Sequence, residues 1–375
     1  MAGRGGTRAA KRLEKPERLW LSFLDEGDQA RDDEPVATDL SAAAAAGRDL
    51  WVANDELAHV ERLSRNEKGF GAHTPFALAD FLELPGGPMG EMDIEGLDVD
   101  GGYLWIAGSY SSTRRKPKTG ENDAAEVLER LCDVRDDPNR YVLARVPIEQ
   151  APDGSTRLVR EVSLEHGHRR SAAILPVKDG RNKLLRELAK DEHLGPFIGL
   201  PAKENGFDVE GLAVRGERVF LGLRGPVLRG WAIILELSVK ESGPGCLKLR
   251  KHGPGGMRYR KHFLDLDGLG IRELCWHGQD LLILAGPTMD LDGPNRLLRW
   301  KAPLETDEPQ VLTRDRLTHV AELPTVRGAD HPEGLAILPG GDGEADRLLV
   351  IHDSPAPERL GDGKRCIAAD LLSLG

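Results

Sequence analysis

Four stretches of this chain repeat one phrase, and that repetition narrows the choice of fold more than any other property. The phrase is a polar residue, a short apolar run, a turn containing glycine and a second apolar run. It occurs at Asp93–Ser109, Asp208–Arg224, Gly270–Gly286 and His331–Asp353, with a weaker fifth copy at Asp39–Asp55. Repeats at a regular spacing are typical of arrays and propellers. The phrase is therefore expected to be the structural unit of the protein.

Each copy has the pattern of a β-hairpin. Glycines at Gly101, Gly216 and Gly278 separate the two apolar runs, which are rich in β-branched and large apolar residues. Because a hairpin returns on itself, the start of its first strand and the end of its second lie at the same end. Aligning the copies gives two polar columns at that end. The first column is Ser41, Glu95, Glu210, Arg272 and Glu333, and the second is Asp55, Ser109, Arg224, Gly286 and Asp353.

The segments between the hairpins predict two further strands per unit. Four antiparallel strands recurring about every 60 residues are the pattern of a propeller blade. The copies predict an all-β propeller of five four-stranded blades, and the long interval between Glu95 and Glu210 leaves room for a sixth. Within that interval, Arg181–Leu194 has apolar residues at helical spacing and predicts an inserted helix. A strand at Leu19–Leu24 is expected to close the ring by pairing with the last unit.

Composition and charge limit the function. The chain of 375 residues has a net charge of −11, which argues against general nucleic-acid binding because phosphate contacts need clustered Lys and Arg. No apolar stretch reaches the length of about 18 residues that a membrane span needs, and no secretory signal is evident. The four cysteines form no CxxC pair, which favours a cytoplasmic setting. Residues 1–17 are predicted to be a disordered basic tail, and residues 18–375 a single propeller domain.

The first polar column predicts a cation site. In a propeller the first strand of each blade lines the central channel, so Glu95, Glu210 and Glu333 are expected to converge at its mouth. Converging carboxylates repel each other unless a cation neutralises them. A divalent cation with oxygen ligands fits this need, with Ca²⁺ preferred over Mg²⁺. His331 and His352 are near enough in register to allow a transition metal instead.

Other polar residues at this end predict chemistry on an anion. Asp55 and Asp353 are candidates for a further ligand or a general base, while Arg224 and Arg272 are candidates for holding an anionic substrate. The alternative is structural. In that interpretation the glutamates accept hydrogen bonds from neighbouring backbone N–H groups, and Arg272 forms a buried ion pair with one of them. The sequence leaves both interpretations open.

The loop Ser109–Asp123 leaves from the same face and is basic in an otherwise acidic protein. Ser109, Arg114 and Arg115 are candidates for substrate binding, because long polar loops on a rigid ring often carry function. The alternative is a mobile, solvated loop that binds nothing. The following segment, Ala124–Cys132, predicts a short helix.

The motif (D/H)-x-E-G-L, present at Asp93–Leu97, Asp208–Leu212 and His331–Leu335, resembles that of an uncharacterised bacterial family of unknown function. That family is distantly similar to the esterase-like phytase propellers. The resemblance covers most of the chain and implies a β-propeller with a polar central site. The name of the relatives also implies phosphoester hydrolysis. Arg272 and Ser41 stand where two copies of the motif would have glutamate, which argues against a symmetric metal ring.

These features lead to three hypotheses. The first is a metal-assisted hydrolase of a phosphoester or other ester, acting at the mouth of the channel. The second is a non-catalytic propeller that binds a small anionic ligand or a protein partner on the same face. In the third, the polar columns only close the ring. Since a fold never implies an activity by itself, the geometry of the site has to decide.

Overall fold

The structure is a computed structural model that describes residues 16–24, 36–54, 57–117, 123–289, 291–324, 326–341, 344–361 and 365–374. Asp55 and residues 1–15 of the predicted basic tail lie outside the described residues. No helix in the described ranges combines the length and the apolar character that crossing a bilayer requires.

Strands account for most of the regular structure. Strands β1 to β9 are Glu17–Ser22, Leu40–Ala46, Asp49–Asn54, His59–Asn66, Gly69–Ala77, Ile94–Asp100, Tyr103–Gly108, Thr113–Arg114 and Val134–Arg135. Strands β10 to β20 are Leu143–Gln150, Thr156–Leu158, Glu161–Ser163, Arg169–Ser171, Ala173–Ile174, Val177–Lys178, Arg181–Asn182, Asp208–Arg215, Arg218–Gly225, Trp231–Gly243 and Cys246–Leu249. Strands β21 to β30 are Tyr259–Asp265, Gly270–His277, Asp280–Gly286, Asn295–Trp300, Val311–Leu312, Thr318–Leu323, His331–Leu338, Arg347–Asp353, Leu360–Gly361 and Cys366–Ser373.

Helices are short and lie between the strands. The α-helices of the described ranges are α1 (Ala124–Cys132) and α2 (Lys183–Leu188). The 3₁₀ helices there are Val36–Thr38, Leu78–Asp80, Pro138–Tyr141, Glu165–Gly167, Gly195–Phe197, Ala202–Glu204, Pro254–Gly256, Pro303–Glu305, Arg314–Arg316 and Pro357–Arg359.

Five inner hairpins form a closed ring in the described part of the chain. They are β2–β3, β6–β7, β17–β18, β22–β23 and β27–β28, each antiparallel. Their first strands pack against one another in the order β2, β6, β17, β22, β27 and back to β2. Further strands extend the hairpins outward, as in the sheet β22-β23-β24-β26. The protein is therefore a β-propeller, which confirms the predicted fold class, while the predicted number of blades stays a prediction.

The N-terminal strand closes the ring. Strand β1 pairs antiparallel with β30, from Glu17 opposite Leu371 to Ser22 opposite Cys366. It therefore completes the last sheet after β27, β28 and β30. It also makes a short parallel contact with β5 of the first sheet. The clasp predicted at Leu19–Leu24 is confirmed, although it begins and ends two residues earlier.

The glycine of the repeated motif is required by close packing between neighbouring inner strands. A Cβ atom at Gly96 would lie 2.5 Å from the Cβ atom of Leu212, and one at Gly211 would lie 2.9 Å from the Cγ atom of Leu274. Only a residue without a side chain allows this approach. The leucines in turn are buried between adjacent sheets. The Glu-Gly-Leu sequence therefore encodes the spacing of the ring as well as a polar residue at its mouth.

The long interval between the second and third hairpins holds an insertion. Helix α2 lies in it, but it has six residues and is shorter than the predicted helix Arg181–Leu194. Its Leu184, Leu185 and Leu188 are buried, and Asn182 caps its first turn by accepting a hydrogen bond from the Leu185 N–H at 3.0 Å. Helix α1 matches the predicted helix residue for residue.

Candidate functional site

A cavity of about 1020 Å³ opens at the end of the ring where the inner hairpins begin and end. Its described lining is dominated by charged side chains. Its acidic residues include Glu91, Asp93, Glu95, Asp208, Glu210, Glu333 and Asp353, and its basic residues include Arg140, Arg224, Arg272, Arg135, Lys116 and Lys203. The cavity is the candidate functional site.

A β-bulge positions the first polar column. In each inner hairpin, the pairing register shifts at the column residue: around Ser41, Glu95, Glu210, Arg272 and Glu333. A bulge leaves the extra residue out of the ladder and re-aims its side chain, and bulges are common beside active sites. The repeat therefore explains both why these residues form one column and why four of them, all but Ser41, line the cavity.

Arginines interleave with the column glutamates. Arg272 lies between Glu210, with its Nε atom 3.0 Å from Oε2, and Glu333, to which it also forms an ion pair. Arg224 in turn pairs with Asp208, at 2.7 Å between Nη2 and Oδ2, and with the other oxygen of Glu210. Asp208, Glu210 and Arg224 are almost fully buried. The two arginines predicted to hold a substrate are thus engaged by the protein's own carboxylates.

A third arginine pairs with two further acids of the cavity. Arg140, from the 3₁₀ helix Pro138–Tyr141, pairs with Glu91 and Asp93, and its Nε atom donates to the Ser111 carbonyl at 2.8 Å. Burial by itself opposes the charge of Arg140, but the neighbouring acids outweigh it and raise its pKa. We call the set Glu91, Asp93, Glu95, Asp208, Glu210, Glu333, Arg140, Arg224 and Arg272 the acid–arginine network.

Glu95 differs from the other acids of this network. Within the described residues, no hydrogen bond or ion pair joins its carboxylate to another group. Burial, followed by the charges of Asp93, Glu210 and Asp208, raises the pKa of Glu95 well above its ordinary value, with Arg224 opposing. The environment of Glu95 therefore favours the protonated form of its carboxyl, and the side chain lines the cavity.

Other carboxyls of the network have raised pKa values for the same reason. Burial raises the pKa of Glu210 to about 7, in spite of the opposing effect of Arg224 and Arg272. Burial also raises the pKa of Asp93 and of Glu91. The acid–arginine network contains six carboxyls and three guanidinium groups. Its excess of acid must be neutralised by protons or by a bound cation.

Three residues that line the cavity have an unusual backbone conformation. Asp93, Met289 and Ser354 line the cavity and have φ angles of 50°, 59° and 47°, in the left-handed region that non-glycine residues rarely adopt. Such conformations cost about 1 kcal/mol or more each and cluster at functional sites. Their presence around the cavity is consistent with a binding or catalytic role.

Asp353 and His331 form part of the cavity wall opposite each other on β28 and β27. The Asp353 carboxylate accepts a hydrogen bond from the Ser354 hydroxyl at 3.2 Å. His352 lies elsewhere: it is buried, with its Nε2 atom 3.1 Å from Asp370. Of the two histidines that the sequence suggested for a transition metal, the structure thus places only His331 at the cavity.

The described serines of the two columns form hydrogen bonds within the protein beside the cavity. Ser41 donates a hydrogen bond to the Ile94 carbonyl at 2.5 Å and so joins the first inner strand to the second. Ser109 is fully buried and accepts a hydrogen bond from the Ser111 hydroxyl at 3.0 Å. Asp55, the other predicted member, lies outside the described residues.

The predicted binding arginines of the loop are not part of the described lining. Arg114 pairs with Glu204 through two nitrogens and donates to the Leu131 carbonyl at 2.6 Å. Arg115 lies 3.7 Å from Asp133. The same loop still borders the cavity through Thr113 and Lys116.

The three glutamates predicted to bind a metal ion are separated in part by an arginine. Glu95, Glu210 and Glu333 all line the cavity, but Arg272 lies between the last two. Within the described residues, no three His, Cys, Asp or Glu side chains are grouped closely enough to hold a metal ion. The metal stays a prediction.

Sequence reasoning missed a second set of acids deeper in the channel. Asp98 accepts hydrogen bonds from the Val214 N–H at 2.6 Å and the Val99 N–H at 2.7 Å. Glu273 accepts them from the Leu212 N–H at 3.2 Å and the Leu274 N–H at 2.7 Å. Burial raises the pKa of Asp98 to about 7 and that of Glu273 well above its ordinary value. These channel acids tie neighbouring inner strands together.

The network also contains residues that the sequence did not single out. Asp93 and Asp208 open two copies of the repeated motif, so the repeat itself carried the signal for them. Arg140 and Glu91 belong to no repeated position, and only the folded chain brings them to the cavity.

A known protein family matches most of the chain. A family model described as "Protein of unknown function (DUF3616)" matches residues 39–370. The chain belongs to the DUF3616 family. The DUF3616 match contains all five inner hairpins of the described chain and therefore the whole acid–arginine network. Among curated proteins, none matches this DUF3616 chain.

Solved structures with a similar arrangement have very different names. Glutaminyl cyclase from Myxococcus xanthus has a TM-score of 0.38 at 10% identity, covering 96% of this chain and 100% of that chain. Extracellular domains 1–2 of Drosophila Semaphorin 1a have a TM-score of 0.39 at 9% identity, covering 96% and 88%. The aldose sugar dehydrogenase from Streptomyces coelicolor, in its PQQ-bound form, has a TM-score of 0.34 at 14% identity, covering 96% of this chain and 99% of that chain. Similarities this low carry no argument about activity.

Proposed function

We propose that the cavity is the active site of a hydrolase acting on a small polar molecule, with Glu95 as the general acid. The observation that carries this proposal is the state of Glu95: it is the acid of the network without a hydrogen-bond or ion-pair partner among the described residues, and it faces the cavity. A protonated carboxyl with no structural partner can give its proton to a substrate. Acids of this kind in a cleft are typical of catalytic sites.

A hydrolase also needs a group that activates water. Asp353 is the candidate base, since it lines the same cavity and its described side-chain contact is a hydrogen bond from Ser354. His331, opposite it across the hairpin, can accept or orient the proton. In this scheme Asp353 takes a proton from water, the water oxygen forms the new bond to the substrate, and Glu95 protonates the leaving group. An acid and a base on the two sides of the reacting bond divide the work.

The test is the hydrolysis of phenyl acetate and phenyl phosphate, whose phenolate leaving group is basic enough to gain from protonation, by the wild type and by Glu95→Gln. Glutamine cannot give up a proton, so we expect kcat/KM to fall by about 100-fold. Wild-type kcat/KM should decline as the pH rises through the raised pKa of Glu95, because the acid form is the active one. The matched control is Glu161→Gln, an exposed glutamate paired with Arg169 outside the cavity lining. Hydrolysis that survives Glu95→Gln unchanged would reject the assignment.

A metal-assisted form of the same reaction is the second candidate. The observation in its favour is the excess of six carboxyls over three guanidinium groups in the acid–arginine network. A bound Ca²⁺, or less favourably Mg²⁺, would replace the protons on Glu95 and Glu210 and polarise the substrate. Addition of Ca²⁺ to the chelated protein at pH 7 should then release protons and raise the melting temperature. Calorimetry in two buffers of different ionisation enthalpy measures the protons, and an absence of both effects would reject this form.

A further inference from the structure

We infer that the cavity takes a molecule whose leaving group is an aliphatic amine, with the amine nitrogen beside Glu95 and the apolar chain against Met89, Met289 and Leu291. This inference names the substrate class of the proposed hydrolase and rests on that proposal: Glu95 gives its proton to the departing amine, which leaves a positively charged ammonium beside the Glu95 carboxylate. It differs from the expectation of an anionic ligand, which the arginines had suggested.

The charge balance of the cavity favours a cation over an anion. Arg140, Arg224 and Arg272 are each paired with two carboxyls. An anion that bound to these three arginines would have to displace the carboxyls and leave them buried without a partner, which is costly. Lys116, Lys203 and Arg135 also line the cavity, but its eight acidic side chains outnumber its six Lys and Arg side chains. A cation beside Glu95 would displace no existing partner, because Glu95 has no cationic partner within hydrogen-bonding distance among the described residues.

Two further carboxylate oxygens at the cavity are held by ion pairs without a well-directed hydrogen bond. Asp208 Oδ2 and Glu210 Oε2 are buried and accept no hydrogen bond, although each lies close to a guanidinium group. Both residues line the cavity and are at most 3% exposed. A buried polar atom without a partner costs free energy, which a ligand can recover by supplying the missing donor. An ammonium group has three N–H donors and no acceptor, so it fits a surface of acceptors.

Three exposed apolar side chains also line the cavity. Met89, Met289 and Leu291 line it and are 65%, 37% and 59% exposed, which makes them part of the exposed large hydrophobic surface of the described chain. We call these three residues the rim. Exposed apolar side chains at a cleft mark places where a ligand is bound. A molecule that satisfies both regions has a charged head and an aliphatic part of several carbons.

An organic cation fits this site better than a divalent metal ion. Ca²⁺ needs about six to eight oxygen ligands at about 2.3–2.6 Å. The described acids are separated by arginines and form no group of three that could surround an ion. An ammonium on a carbon chain needs only a few acceptors, and its chain uses the rim. The rim has no role in binding a bare ion.

The test is isothermal titration calorimetry with n-hexylamine, compared with hexan-1-ol, hexanoate, ethylamine and CaCl₂. We expect saturable binding of n-hexylamine, weaker binding of hexan-1-ol and ethylamine, and none of hexanoate. Glu95→Gln should weaken n-hexylamine by at least about tenfold, since the charged hydrogen bond is lost. The double variant Met289→Ser/Leu291→Ser should weaken n-hexylamine but leave ethylamine unchanged. Circular dichroism confirms that each variant is folded, and Glu161→Gln is the control that should bind as the wild type does.

The outcomes separate this inference from the proposed hydrolase. If hexanoate or CaCl₂ binds and n-hexylamine does not, the amine inference is wrong, while loss of ester hydrolysis in Glu95→Gln would still support the hydrolase. If n-hexylamine binds through Glu95 but no ester is hydrolysed, the amine ligand class is supported and the catalytic role of Glu95 is rejected. Binding of n-hexylamine that Glu95→Gln leaves unchanged would place the amine elsewhere and overturn the inference.

Discussion

Two sets of acids on the same inner strands have opposite roles. Glu95 and Asp98 are three residues apart on β6, and Arg272 and Glu273 are adjacent on β22. At the mouth the acids face a cavity, and Glu210 and Glu333 contact guanidinium groups while Glu95 does not. In the channel, Asp98 and Glu273 accept hydrogen bonds from backbone N–H groups of the neighbouring strand. The position along the strand, and not the residue type, decides whether an acid belongs to the site or to the scaffold.

The physical difference lies in the partners. A backbone N–H cannot move away from its acceptor without breaking the ring, so the channel acids are permanently engaged. A guanidinium or a ligand amine can exchange one carboxylate for another at lower cost. The β-bulge separates the two sets, because it takes the column residue out of the ladder and turns it to the cavity. The next residues return to the regular alternation and face the neighbouring strands.

The largest effect should come from removing the arginine at the mouth. Arg272→Met leaves Glu210 and Glu333 without a shared cation, and breaking a pair this deeply buried costs about 3–5 kcal/mol. The pKa of Glu210, about 7 in the wild type, should rise further. A carboxyl with a raised folded-state pKa destabilises the protein above its ordinary pKa and not below it. The loss of stability should therefore be large at pH 8 and small near pH 4, measured by urea unfolding.

The control for this prediction is an exposed pair of the same type. Arg157→Met removes the partner of Glu149, with both side chains more than a third exposed, and should cost at most about 1 kcal/mol at either pH. A loss in Arg272→Met that is equally large at both pH values would contradict the electrostatic explanation and favour lost packing.

A smaller effect is expected from the channel acids. Glu273→Ala leaves the buried N–H groups of Leu212 and Leu274 without an acceptor, at a cost of about 1–3 kcal/mol for each group. Glu273→Gln keeps an oxygen at the same place and resembles the protonated acid that burial favours. We expect it to unfold at nearly the wild-type urea concentration. If both variants are equally destabilised, hydrogen bonding to the neighbouring strand is not the role of Glu273.

The fold could be predicted from the sequence because its signals are local. The hairpin pattern, the turn glycines and the polar column recur at fixed positions, and each reflects a requirement of one strand or one turn. The clasp at Leu19–Leu24 followed from the need to cover a sheet edge. The length of α2 was overestimated because apolar spacing alone does not mark where a helix ends.

The candidate site was predicted only in part, for a physical reason. The column glutamates and Arg272 were placed correctly at one end, since alignment of the repeats gives their position. Their partners were not predictable in the same way. Arg140 comes from a short 3₁₀ helix outside the repeat, and the lack of a partner for Glu95 depends on how three arginines divide six carboxyls in space. Such a distribution is a property of the assembled ring.

The smallest effect should come from the loop arginine that sequence reasoning placed in substrate binding. Arg114 and Glu204 are 32% and 42% exposed, so their ion pair is screened by water and contributes little to stability. Because Arg114 does not line the cavity, Arg114→Ala should change kcat/KM for phenyl esters by less than about twofold. Arg272→Met at pH 5, where it still folds, should change it far more. A tenfold rise in KM for Arg114→Ala alone would instead mean that the loop swings over the cavity when substrate binds, and the division between scaffold and site would then have to include the loop.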